Sequence, residues 1–98
     1  MKSIPKHFHL AGQKILVEQV SDLVERQDCW GKWIPTSNTI LLQSIDDKHP
    51  KDVVLQAFFH EAFHAILDIL GHTEWSSNEV FVEQVSQLFY QMLKTKRH

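Results

Sequence analysis

The residues from Pro50 to Gly71 constrain the fold of this chain more than any others. Val53, Val54, Leu55, Ala57, Phe58 and Phe59, followed by Phe63, Ala65, Ile66, Leu67, Ile69 and Leu70, put apolar side chains on most of the circumference of one helix. A helix that is apolar nearly all round belongs in an interior, between other layers. Pro50 suits its first turn, where an N–H would have no partner in any case. Gly71 stands where a helix stop is wanted. Set into this apolar surround are His60, Glu61 and His64, and buried groups of that kind need hydrogen-bond partners or a metal ion.

The spacing favours the metal. At 3.6 residues per turn, His60 and His64 lie nearly in line on one face. Each neutral imidazole offers one nitrogen, so the pair can hold Zn²⁺ from the same side at bond lengths of about 2.0–2.1 Å. Glu61 lies roughly 100° round the helix from His60, beside such an ion rather than on it, where a carboxylate can take a proton from a metal-activated water. The blander alternative is a helix with two solvated histidines and a surface glutamate, which the apolar flanks disfavour.

Composition narrows the classes. With 98 residues, 43% of them hydrophobic, one core and one domain spanning 1–98 are expected. The formal net charge is -2, so no global field favours nucleic acid or an anionic membrane. Lys94, Lys96 and Arg97 read more simply as complementing a helix C-terminus. The single cysteine, Cys29, rules out an intrachain disulfide and a Cys-rich zinc finger. It reads as a small buried hydrophobe or, with less support, as a thiol capping the metal. Neither an apolar leader nor a run of about 18 apolar residues occurs, so the expected location is the cytoplasm.

Along the chain, Lys6–Leu10 and Lys14–Val20 read as a hairpin about Ala11-Gly12-Gln13. Cys29–Ile34 and Thr39–Gln43 read as a second, with turn chemistry at Pro35–Asn38. Ser21–Asp28 is left open between loop and helical turn. The long helix follows over 50–71, His72–Trp75 links, and a last helix covers 76–96. Phe81, Val82, Val85, Leu88, Phe89 and Met92 form its core stripe by i, i+3, i+4 spacing, with Glu79, Glu83, Ser86 and Tyr90 on another face. The expected fold is α+β: a small antiparallel sheet from two hairpins, covering 1–48, packed on an antiparallel pair of helices.

A catalytic zinc site usually takes a third protein ligand and leaves one position open. The metzincin pattern fails, because Leu67 and Leu70 stand where its Gly and third His belong. Asp68 lies one turn past His64, able to buttress it or to be solvated at the helix end. A short link folds the second helix back on the first, which brings Glu79 to the level of His64 and Glu83 to that of His60. Glu79 then serves as third ligand, and Glu83 accepts the other N–H of His60, as the partners of metal-bound histidines do. Against this, Ser76-x-x-Glu79 is also a capping box that would engage Glu79 with a backbone N–H. His72 is the runner-up ligand.

These two helices, residues 50–96, resemble the gluzincin metallopeptidases, in which H-E-x-x-H is followed by a glutamate ligand on the next helix. Asn78-Glu79-Val80-Phe81-Val82-Glu83 is similar to the N-E-x-x-x-D block of thermolysin-type enzymes, with Glu83 in place of Asp. The chain also resembles short zincin-like proteins of phages and bacteria. The resemblance implies a zinc-dependent endopeptidase with His60, His64 and Glu79 as ligands and Glu61 as general base. It further implies that the Cys29–Ile34 strand, with Gly31, Lys32 and Trp33, lies at the sheet edge and pairs with an extended peptide or protein substrate. Larger relatives stabilise the oxyanion from an additional subdomain. Here His72, Trp75 and Tyr90 are the nearby candidates, and a protein partner completing the cleft is expected. Two alternatives stand beside this reading: a zinc-stabilised module that binds protein without cutting it, and a metal-free polar core.

Overall fold

The computed structural model describes residues 4–97. Strands β1 (His7–Leu10) and β2 (Gln13–Val20) form the first hairpin, and β3 (Gly31–Ile34) and β4 (Thr39–Gln43) the second. A short helix α1 (Leu23–Gln27) separates them. The helices α2 (Lys51–Ile69), α3 (Thr73–Ser76) and α4 (Glu79–Thr95) complete the α+β fold.

Both expected hairpins are present, but the sheet is mixed rather than wholly antiparallel. Its order is β1-β2-β4-β3, with β2 parallel to β4 in a register that runs from Leu16 opposite Thr39 to Val20 opposite Gln43. Parallel neighbours need a long crossover. The segment from Ser21 to Asn38 provides it, carrying α1 and then β3, which is left on the outer edge. Gln43 holds this crossover down from within. Fully buried, its side chain accepts from the Val24 N–H and donates to the Ser21 carbonyl.

Alternation along the strands turns Ile15, Val17, Ile40 and Leu42 to one face, where they meet Val54 and Phe58 of α2 in the core. This contact is what keeps the long helix in place over the sheet. α2 ends in a Schellman motif: the Gly71 and His72 N–H groups donate to the Asp68 and Leu67 carbonyls. Gly71 adopts φ +83°, a left-handed conformation in which a Cβ would be strained.

α4 departs from its expected orientation. The face that meets α2 carries Val82 and Ser86, both buried, whereas Leu88, Phe89 and Met92 of the expected core stripe are 67%, 43% and 55% exposed. Periodicity places an apolar stripe on a helix but does not say which way the helix is turned. Here the side of Glu79, Glu83 and Ser86 faces inward, and part of the stripe is turned out.

Candidate metal centre

The apolar helix delivers His60 and His64 together. Their ring centroids are 4.9 Å apart and their Nε2 atoms 3.2 Å apart. α4 approaches from one side with Glu79, whose Oε2 lies 3.1 Å from His60 Nε2 and whose Oε1 lies 3.1 Å from His64 Nε2. Glu79 is at the first turn of α4, and it is free to turn inward because Asn78 caps that helix instead, accepting the Phe81 N–H at 3.1 Å. The alternative, a Ser76–Glu79 capping box, does not form.

Ser76 has another partner. Buried at 7% exposure, its Oγ lies 3.0 Å from His64 Nδ1 and 3.4 Å from the His64 carbonyl. The hydroxyl donates to that carbonyl and accepts the Nδ1–H, which leaves the His64 Nε2 lone pair facing Glu79. Glu83 Oε2 comes within 2.8 Å of His60 Nδ1, but off the direction of a ring N–H, so the expected hydrogen bond between them does not form. The sequence offered Ser76 only as a helix-start signal. Its role depends on α3 lying against α2.

This donor set fits a divalent cation. Two ring nitrogens and a carboxylate converge on one point, where a cation shared between them would be held by all three. Two zinc bonds of about 2.0–2.1 Å at a tetrahedral angle separate their ligand atoms by roughly 3.3 Å, close to the 3.1 and 3.2 Å spacings found. His60, His64 and Glu79 are the group among the described residues with ligand atoms placed to share an ion.

Glu61 lies beside them, its Oε2 3.9 Å from His60 Nε2 and its side chain 13% exposed. Its Oε1 accepts the Trp33 backbone N–H at 2.9 Å. Burial raises its carboxyl pKa against the opposing charges of His60 and His64. Gly31 is the reason α2 and β3 can come so close. A Cβ there would stand 2.9 Å from Glu61 Cγ and 3.2 Å from Leu42 Cδ2, so only hydrogen fits.

β3 is at the sheet edge and runs along the centre. Two adjoining hollows flank it. One, of about 360 Å³, is lined by Trp30, Val53, Gln56 and Ala57 among others; the second, of about 470 Å³, by Gln27, Lys32, Trp33 and His64 among others. Both are lined by Cys29, Gly31, His60, Glu61 and Glu79. The half-buried Cys29 thiol has its pKa raised by burial and then by the charge of Glu61, which keeps it protonated. Asp68 neither buttresses His64 nor hangs in solvent: its Oδ2 accepts the Trp33 indole N–H at 2.8 Å and ties α2 to the edge strand.

The expected oxyanion donors lie elsewhere. Tyr90 donates its hydroxyl to Asp52 and lines a separate hollow with Leu55, Phe59, Leu93 and Lys94. His72 is an exposed residue preceding α3, its carbonyl accepting the Trp75 and Ser76 N–H groups. Trp75 stacks against Phe81. Donor side chains that do line the hollows include Gln27, Trp30, Lys32 and Gln56. Gln27 was beyond reach of the sequence because it arrives on α1, whose segment had no periodicity to read.

Comparison with protein-family models, with curated proteins and with solved structures finds no match to this chain. Among the described residues no helix is long and apolar enough to cross a membrane.

Proposed function

We propose that this chain is a zinc-dependent endopeptidase. The observation that carries the reading is the convergence of His60 Nε2, His64 Nε2 and the Glu79 carboxylate within 3.1–3.2 Å, while Ser76 and Glu83 approach the Nδ1 atoms of the two rings. When bound, the ion would polarise a peptide carbonyl and acidify a water. The remaining work falls to the chain. Glu61, with Oε1 held by the Trp33 amide, keeps Oε2 toward the centre to accept a proton and return it to the leaving amine, a role worth about 10²–10⁴-fold. Because the Trp33 N–H points away from β4, so do the peptide groups of Gly31, by the period-two alternation of an antiparallel pair. An extended peptide or protein substrate aligned on that edge lies across the hollows, as in strand addition.

Purified without chelator, the protein is expected to carry about one zinc per chain. Glu61→Gln keeps the metal and loses cleavage of an extended peptide. A metal-free preparation, or cleavage unaffected by Glu61→Gln, overturns the reading. The placement of His72 and Tyr90 away from the hollows favours a second one, a zinc-stabilised module that binds protein without cutting it; there the Glu61→Gln variant retains full function.

A further inference from the structure

The rotation of α4 that turns Glu79 and Glu83 toward α2 leaves an outer face to be accounted for. At about 100° per residue, that face comprises Val80, Gln84, Leu88, Gln91, Met92 and Thr95, none of them charged. Val80, Leu88 and Met92 are 68%, 67% and 55% exposed. Interface cores are depleted of Lys, Glu and Asp and enriched in Met, whereas an exposed helix face ordinarily carries charge. The charges of α4 stand instead on the flank of this face and are segregated along it: Glu79 and Glu83 at one end, Lys94 at the other, with Lys96 and Arg97 just beyond.

We propose that α4 pairs antiparallel with α4 of a second copy of this chain about a twofold axis near Ser86–Leu88. Symmetry then selects the contacts. A twofold near residue 86 sets Val80 against Met92 and Gln84 against Leu88, all in one i±4 row along the outer face. Lys94 is held within its own chain by Asp52, 2.8 Å from its Nζ. In an antiparallel pair, however, each flank faces its own copy in reverse order, so the Glu79–Glu83 end meets the partner copy's Lys96 and Arg97. A groove of about 340 Å³ lined by Glu79, Val80, Glu83 and Gln84 lies where the partner's basic end arrives. The groove shares Glu79 and Glu83 with the hollow beside the metal centre, so the second copy forms a wall of the cleft. Nothing in this pairing depends on a bound metal.

One helix against one helix buries less than the roughly 1,600 Å² of a standard interface, so the dimer is weak, with a dissociation constant on the order of 10–100 μM. Sedimentation of the full chain from about 1 to 200 μM should show reversible monomer–dimer exchange across that range. Leu88→Glu should give monomer throughout with an unchanged circular dichroism spectrum, and Lys96→Glu with Arg97→Glu should weaken association about tenfold. Gln87→Cys, beside the proposed axis, should form an intermolecular disulfide under mild oxidation that the wild-type chain, with Cys29 alone, does not. Monomeric wild-type protein at the highest concentration overturns the proposal. So does a dimer that Leu88→Glu leaves intact, or a Gln87→Cys variant that fails to crosslink.

Discussion

Two histidine–carboxylate clusters lie in this small protein, and they are built to opposite ends. His49, 5% exposed, has Asp46 Oδ1 2.7 Å from its Nδ1 and Glu25 Oε2 3.1 Å from its Nε2. Both ring nitrogens face carboxylates, so the imidazolium with two N–H donors satisfies the cluster completely. At His60 and His64 the outer nitrogens face Glu83 and Ser76, and the inner ones face each other and Glu79. A proton completes the first cluster. The second brings three ligand atoms close enough together to share one metal ion, which the first does not. The difference lies in where the second partner of each ring stands.

The largest test of this contrast is chelation. If the inner nitrogens share an ion, EDTA and His64→Ala should each lower the melting temperature by about 10 °C or more, since metal affinity is coupled to folding and each kcal/mol moves a domain of this size by about 4–8 °C. A His49→Gln variant should still respond to EDTA as the wild type does. A melting curve indifferent to EDTA would erase the distinction between the clusters.

Gly31→Ala comes next. Its Cβ would force Glu61 off its line, and the expected outcome is a fall in cleavage of about 10–100-fold at unchanged zinc content. Loss of zinc in that variant would place Gly31 in service of the fold instead. Smaller effects belong to the groups that orient the rings. Ser76→Ala and Glu83→Ala should each weaken zinc binding by about 10–100-fold, read by competition with a chromophoric chelator. Equal affinity in Glu83→Ala would return that side chain to the helix surface.

The smallest effect is the pH response of the other cluster. Burial lowers the pKa of His49, but its hydrogen bonds to Asp46 and Glu25 and their charges outweigh it and raise the pKa above 6.5. The His49 contribution to stability is therefore full below about pH 6.5 and is lost as pH rises through the raised value. Asp46 moves the other way, its carboxyl held below 3.8 by His49 and by the Lys48 and His49 amides against the cost of desolvation. Its contribution is full above that value and is lost as pH falls through the lowered one. Melting curves across that span should show His49→Gln flattening the alkaline limb and also reducing the acid limb, because the ring is part of what holds Asp46 low. An identical pH profile in the variant would mean that the ring is neutral in the folded protein.

Much of the centre is legible in the sequence alone. The Pro50–Gly71 helix, its glycine stop and the alignment of His60 with His64 are local consequences of helical spacing, and a short link between helices was enough to direct Glu79 and Glu83 to the histidines. Residues whose part depends on a distant neighbour could not be read in the same way. Ser76 became a partner of His64 only because α3 folds onto α2. Tyr90 and His72, near in sequence, are drawn away by Asp52 and by the turn before α3. Gly31 is required because a helix passes directly over it.

The sequence by itself determined where the four strands and the two long helices lie and which of their side chains share a face, because both periods are written into residues within a turn or two of one another. The short helices α1 and α3 carry no such period. Only the tertiary structure decided that β2 runs parallel to β4 and that α4 is rotated to turn Leu88 and Met92 outward. Those choices depend on what each element packs against. A stripe of apolar residues is satisfied by any apolar neighbour, whereas two histidines aimed at one point accept a single orientation of the helix that faces them.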